Sequence, residues 1–200
     1  MPSSEIWRLF FALLIPDDVR DAAVRLQRQL APALRGMVKW VEPENLHVTL
    51  KFIGNVPAHL LQKIEDIGRK AAAAAEKGSL LARGVGAFPN LRRPRVIWVG
   101  LDGDVQALAD VAACLNRELS AAHIAEPENR PFTAHLTLGR VRRGARSPDL
   151  SGLVAELGDV ELGVVPFDEF VLMRSHLRPS GPVYEVVARF SATGKPQQGE

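Results

Sequence analysis

Cysteine occurs once in these 200 residues, at Cys114, so no disulfide can form within the chain. That usage suits a reducing compartment, the cytoplasm. Cys114 stands among Ala and Leu in a helical stretch, where buried filler is its expected role. Long hydrophobic runs are missing as well. The apolar stretch from Ile6 to Ile15 is interrupted by Arg8 and stopped by Pro16-Asp17-Asp18. It is too short to span a bilayer, which takes about 20 residues, and it has neither the basic start nor the small-residue cleavage site of a signal peptide. We expect a buried strand there and no membrane partner. Charge of one sign is scarce: the net charge is +2, too little for bulk polyanion binding, though it permits a local basic patch. Several catalytic signatures are absent. There is no Walker A loop and no dinucleotide-binding G-x-G-x-x-G; Gly84-Val85-Gly86 runs into Ala87-Phe88 without opening a helix. No G-x-S-x-G is present, and no Cys/His or His/carboxylate group has metal-ligand spacing. We therefore expect neither metal nor cofactor.

What remains is ordinary in bulk, with 46% hydrophobic and 24% charged residues, enough for one domain or two closely packed lobes around a real core. Two stretches are not ordinary: Leu46-His47-Val48-Thr49-Leu50 and Ala134-His135-Leu136-Thr137-Leu138. Side chains of a strand alternate between its faces. The first stretch thus sets Leu46, Val48 and Leu50 against His47, Thr49 and Lys51. The second sets Ala134, Leu136 and Leu138 against His135, Thr137 and Gly139. With 5 His and four Thr in the chain, random placement yields about 0.1 His-x-Thr triplets. Two on similar apolar frames favour a paired site over two unrelated strands.

The element order supports pairing. Ile6 to Leu14 reads as a strand. A helix follows, with acids at its start and Val19, Ala22, Ala23, Leu26 and Leu30 on one face. Met37 to Val41 is a short strand, and Pro43-Glu44-Asn45 a turn. The first His-x-Thr strand runs to about Ile53 and closes at Gly54-Asn55. Pro57 suits the first turn of a second helix, which continues through the alanine run to a stop at Gly78. Leu80 to Phe88 and Val96 to Leu101 are expected strands flanking a basic loop. A third helix comes next, then a polar loop and the second His-x-Thr strand, from about Phe132 to Val141. Another basic loop, a short helix at Leu150 to Leu157, and strands at Val164 to Arg174 and Val183 to Phe190 complete the order. The tail from about Thr193 is polar and expected to fray. Strand, helix and His-x-Thr strand thus occur twice. Two such lobes related by approximate twofold symmetry would bring the histidine faces together across a cleft.

Paired imidazoles suit hydrolysis of a phosphodiester. With an unperturbed pKa of about 6.5, one ring can take a proton from attacking water while the other gives one to the leaving oxygen. Threonine hydroxyls can donate hydrogen bonds to the non-bridging oxygens. The residue pattern alone does not say which histidine is acid and which is base.

The chain resembles the two-histidine phosphoesterase superfamily, and within it the RNA 2′,3′-cyclic phosphodiesterases historically called 2′-5′ RNA ligases. The resemblance rests on both His-x-Thr motifs, on Arg8 to Ala12 with Pro16, on Gly86 to Pro89, on Arg130 to Arg140, and on Ser175 with Gly181 to Tyr184. It implies an α+β, bilobal fold: two pseudo-symmetric lobes of antiparallel sheet with outer helices around a central cleft, as one domain spanning residues 1–200. It implies metal-independent opening of a 2′,3′-cyclic phosphate at an RNA end to a 2′-phosphate. His47 would be the proton donor and His135 the proton acceptor, with Thr49 and Thr137 on the phosphate. The expected partner is RNA or a nucleotide ending in that cyclic phosphate, and the expected state is a monomer.

Other residues are open to two readings. Arg140 suits a phosphate contact, but on a straight strand it faces away from His135, so a bulge is needed. Phe132 could stack on a base or sit in the core. Lys51 shares the His47 face or snorkels to solvent. Tyr184 lines the cleft or packs in its strand. Arg92, Arg93, Arg95, Arg142, Arg143 and Arg146 would follow an RNA backbone if their two loops rim one cleft mouth; otherwise they are solvated surface. His59, His123 and His176 read as structural or exposed. Two other functions remain: a cyclic phosphodiesterase acting on a small nucleotide, such as an ADP-ribose derivative, and an RNA-end binding or 2′-5′ ligation module with incidental hydrolysis.

Overall fold

In a computed structural model, which describes residues 5–179 and 181–193, nine strands join one antiparallel sheet, and α-helices pack against it. The elements run β1 (Ile6–Leu14), α1 (Asp17–Leu30), β2 (Val38–Trp40), β3 (His47–Pro57), α2 (Leu61–Ala73), β4 (Gly78–Phe88), β5 (Val96–Gly103), α3 (Val105–Ala121), β6 (His135–Val141), α4 (Ser151–Leu157), β7 (Glu161–Phe167), β8 (Glu169–Arg178) and β9 (Gly181–Ser191). The order across the sheet is β7-β4-β5-β6-β3-β1-β8-β9, with β2 paired to β6. Beyond Thr193, the expected frayed tail lies outside the described residues.

The two halves of the sheet meet at β3 and β6, the two His-x-Thr strands, through the single antiparallel pair Val48 and Leu136. Each half mixes strands from the first and second halves of the chain: β4 joins β5, β6 and β7, while β8 and β9 join β1 and β3. The expected lobes are present, but they exchange strands. The sheet also curls strongly. Asp168 alone separates β7, at one end of the sheet, from β8, near the other. So short a link spans only about 7 Å, so the ends must approach each other. This is where the sequence expectation of one strand from Val164 to Arg174 fails: Asp168 breaks it in two, and the halves pair with opposite ends of the sheet.

Alternation explains the burial. Leu46, Val48 and Leu50 of the first motif, and Leu136 and Leu138 of the second, are buried in one core that extends from Leu9 to Ala192. Phe11 is fully buried in it, in ring contact with Phe170 and Phe190. On the opposite face of the sheet, Phe10, Ala12, Val171 and Met173 form a second small cluster. Helix α1 starts after Pro16 with Asp17 and Asp18 in its first turn, and it buries Val19, Ala23, Leu26, Gln27 and Leu30; Ala22 is only half-buried. Strand β3 does not close at Gly54-Asn55 but continues to Pro57, which also caps the single 3-10 turn, Ala58–Leu60, that leads into α2. Cys114 is half-buried on α3. Among the described residues no helix is long and apolar enough to cross a membrane.

Gln27 is one of the few buried polar side chains. Its Nε2 donates to the carbonyls of Val41, at 2.8 Å, and Leu138, at 2.9 Å, tying α1 to β6 on the core side of the sheet. Gln27→Leu is expected to lower stability by about 1–3 kcal/mol, read as a lower urea midpoint at unchanged slope.

Candidate active site

Both histidines are oriented in the same way. His47 Nδ1 lies 2.8 Å from the carbonyl of Asn45, and His135 Nδ1 lies 2.7 Å from the carbonyl of Thr133. A carbonyl only accepts, so each Nδ1 carries the proton and each Nε2 is left to exchange one. The two rings sit on the same face of the sheet, flanking the β3–β6 seam. The antiparallel pairing of Val48 with Leu136 sets His47 on the Thr137 side and Thr49 on the His135 side. The sites are similar but not equal: His47 Nε2 is 3.0 Å from the Thr49 hydroxyl, which donates to it when the ring is neutral.

Aromatic rings enclose both imidazoles. Phe10 and Tyr184 lie 5.0 and 5.3 Å from His47, Tyr184 edge-on. Phe88 stands edge-on to His135 at 5.0 Å, and Trp98 is 6.1 Å away. Tyr184 therefore lines the cleft. Phe132 lies outside β6, half-buried against the main core. Phe88 falls within the Gly86 to Pro89 stretch of the resemblance but carries no role there, and the only trace of Trp98 is its alternation with the buried Ile97 and Val99.

Two bulges decide which charged residues share this face. In β6, Ile97 pairs with Gly139 but Trp98 pairs with Thr137, so Leu138 is the extra residue. Leu138 and Gly139 both turn to the core side, and Arg140 emerges on the histidine face, paired with Val96. Gly139 is required because a Cβ there would sit 2.7 Å from Val38 and 2.9 Å from Trp40. An equivalent bulge at Leu50 in β3 has the opposite effect on its charge. Lys51 is turned inward, away from the His47 face and from solvent, where Nζ donates to Asn116 Oδ1 at 2.7 Å and to the Glu126 carbonyl at 2.8 Å. That is a structural role, contrary to both sequence readings. Phe52 takes the position on the cleft face, with the Arg8 guanidinium 4.6 Å above its ring.

Enclosure makes the free site reluctant to hold extra positive charge. Burial pushes the His47 pKa down to about 4, the Asn45 carbonyl opposes this, and Arg140 and His135 push it further down. His135 is lowered by the same main cause, with Arg140 adding to it. Both rings are thus neutral at neutral pH before a ligand binds. A base whose folded pKa is depressed favours folding above its unfolded value and loses that contribution as pH falls. Between about pH 6.5 and about pH 4, His47 should remove on the order of 2–3 kcal/mol of stability. Urea unfolding of wild type and His47→Gln checks this: the acid-side loss should be smaller in the variant.

His59 and His123 are exposed on the surface. His176 Nε2 pairs with Glu185 at 2.8 Å on the β8–β9 hairpin. Among the described residues no three His, Cys, Asp or Glu side chains converge as a metal site.

The repeat seen in element order is also a repeat of family. A model described as LigT like Phosphoesterase matches the chain twice, over residues 13–98 and again over 99–184. The chain belongs to the LigT-like phosphoesterase family. An RNA 2′,3′-cyclic phosphodiesterase of Methanothermobacter thermautotrophicus is 38% identical over 177 residues, which cover 88% of this chain and 94% of the relative. A protein of the same name from Thermus thermophilus is 34% identical over 192 residues, 94% of this chain and 91% of that one. Among solved structures, a Thermus thermophilus protein superimposes with a TM-score of 0.77 at 31% identity, covering 94% of this chain and all of that one. Escherichia coli LigT complexed with 3′-AMP does so with a TM-score of 0.74 at 25% identity, covering 95% of this chain and 100% of that one. The family boundary between residues 98 and 99 cuts β5, so this LigT-like chain repeats its sequence in one register and builds its sheet halves in another.

Proposed function

We propose that this protein hydrolyses 2′,3′-cyclic phosphate ends of RNA to 2′-phosphates without a metal ion. The observation that carries this reading is the twin anchoring of His47 and His135: two Nδ1–H groups held by backbone carbonyls, and two Nε2 atoms left for proton transfer on one face. The names of the similar proteins supply the substrate class.

The roles of acid and base are those that the family resemblance implies. His135 Nε2 takes a proton from water, whose oxygen bonds to phosphorus. The bond from phosphorus to the 3′ oxygen breaks, and that oxygen takes the proton from His47 Nε2. The product carries a 2′-phosphate and a 3′ hydroxyl, and proton exchange with solvent resets the rings. The low His47 pKa makes its protonated form a strong acid but a rare one in the free protein. The anionic phosphate opposes Arg140 and raises the imidazolium population in the complex. Thr49 and Thr137 donate to the non-bridging oxygens, and Arg140 neutralises charge there.

The deciding assay offers an oligonucleotide with a 2′,3′-cyclic phosphate end, with chelator present, and identifies the product isomer. A 2′-phosphate is expected. Intact cyclic ends from about pH 5 to about pH 8, with binding retained, would move the protein to the RNA-end binding class.

A further inference from the structure

The two basic loops are tied together, and Arg92 and Arg93, from the first of them, line a cavity. Val141 N–H donates to the Arg95 carbonyl at 3.0 Å, and Leu150 N–H donates to the Leu91 carbonyl at 2.8 Å, so the β4–β5 loop and the segment after β6 are joined by backbone bonds. Beneath them lies an open cavity of about 800 Å³ lined by Gly86, Asn90, Leu91, Arg92, Arg93, Trp98 and others. It is on the catalytic face: Gly86 pairs with Trp98, and Trp98 pairs with Thr137. Gly86 makes the floor possible. A Cβ there would come within 2.2 Å of the Trp98 six-membered ring, so only glycine lets the indole rest across β4. One side of this indole faces the cavity, and its ring lies 6.1 Å from His135.

We infer that this cavity seats the nucleotide preceding the cyclic-phosphate end of a single-stranded RNA, with its base on Trp98 and its backbone phosphate on Arg92 and Arg93. The inference rests on the function proposed above and extends it to the length of the substrate. The volume is that of a small-ligand site. Aromatic platforms accept any base, and guanidinium groups bind phosphate through paired N–H donors. The arginine-bearing backbone is held in advance, since Asn90 Oδ1 accepts from the N–H groups of both Arg92 and Arg93 at 3.1 and 3.0 Å. The neighbouring acid, Asp149, accepts from the Ser151 N–H at 2.9 Å, and that bond, helped by the Arg92 charge, holds its carboxyl below the usual range.

The test compares a cyclic-ended trinucleotide with a 2′,3′-cyclic mononucleotide, in wild type and in Arg92→Ala/Arg93→Ala. Both side chains are exposed on a loop, so the variant should fold. Wild type is expected to favour the trinucleotide by about tenfold or more in kcat/KM. The variant should lose most of that preference through KM, show a shallower salt dependence for the trinucleotide, and leave mononucleotide turnover within about twofold. Equal use of both substrates by wild type, or an equal loss on both in the variant, overturns the cavity assignment while leaving the proposed hydrolysis standing. Failure of wild type to open either substrate overturns both.

Discussion

Replacing either His47 or His135 by alanine is expected to lower kcat by about 10²–10⁴ on a 2′,3′-cyclic phosphate end, the usual range for a positioned general acid or base. The double variant should be little slower than the worse single one. Water activation and leaving-group protonation belong to the same displacement, so removing one leaves the other with little to assist. The two losses should differ in kind. Without His47 the 3′ oxygen must leave unprotonated, and without His135 the nucleophile is neutral water. Product analysis in a quenched time course checks both. A loss below about threefold in either variant would remove that ring from the chemistry.

Arg140→Ala is expected to reduce kcat/KM by about 10²–10³, as for loss of one preorganised charge-stabilising donor. Arg140→Lys should recover only part, because a lysine ammonium lacks the planar fork. Folding should be nearly unaffected, since the side chain is exposed. A second readout separates charge from structure. Arg140 lowers the pKa of both His47 and His135, so Arg140→Ala should raise both in an NMR titration of the free protein. Unchanged histidine titrations with reduced activity would place the arginine's effect elsewhere.

Arg140 also marks where reading the sequence stops. Period-two alternation locates His47, Thr49, His135 and Thr137 on one face, because burial of Val48, Leu50, Leu136 and Leu138 leaves no other choice. Alternation then misplaces the charged residue just beyond each motif. A bulge is set by how β1 and β5 pair with these strands, so the reversal of Lys51 and Arg140 depends on distant partners. Gly139 carries the one local hint, as an isolated glycine in a strand pattern signals a bulge or close backbone approach. The α+β class and the doubled order are legible in the sequence. The exchange of β4 and β8 between halves is not, since hydrophobic pattern does not specify partners. For the same reason the break at Asp168 is hidden: β7 and β8 are both apolar, and only their separate pairing reveals it.

The most direct measurement is kcat/KM against pH for wild type, His47→Ala and His135→Ala on one cyclic-ended oligonucleotide. The lowered pKa values in the free protein predict a bell for wild type with its maximum below pH 7. His47→Ala should lose the alkaline limb, because no acid remains to be deprotonated. His135→Ala should lose the acid limb, because no base remains to be protonated. A bell that keeps both limbs in both variants would contradict paired acid–base catalysis by these two histidines.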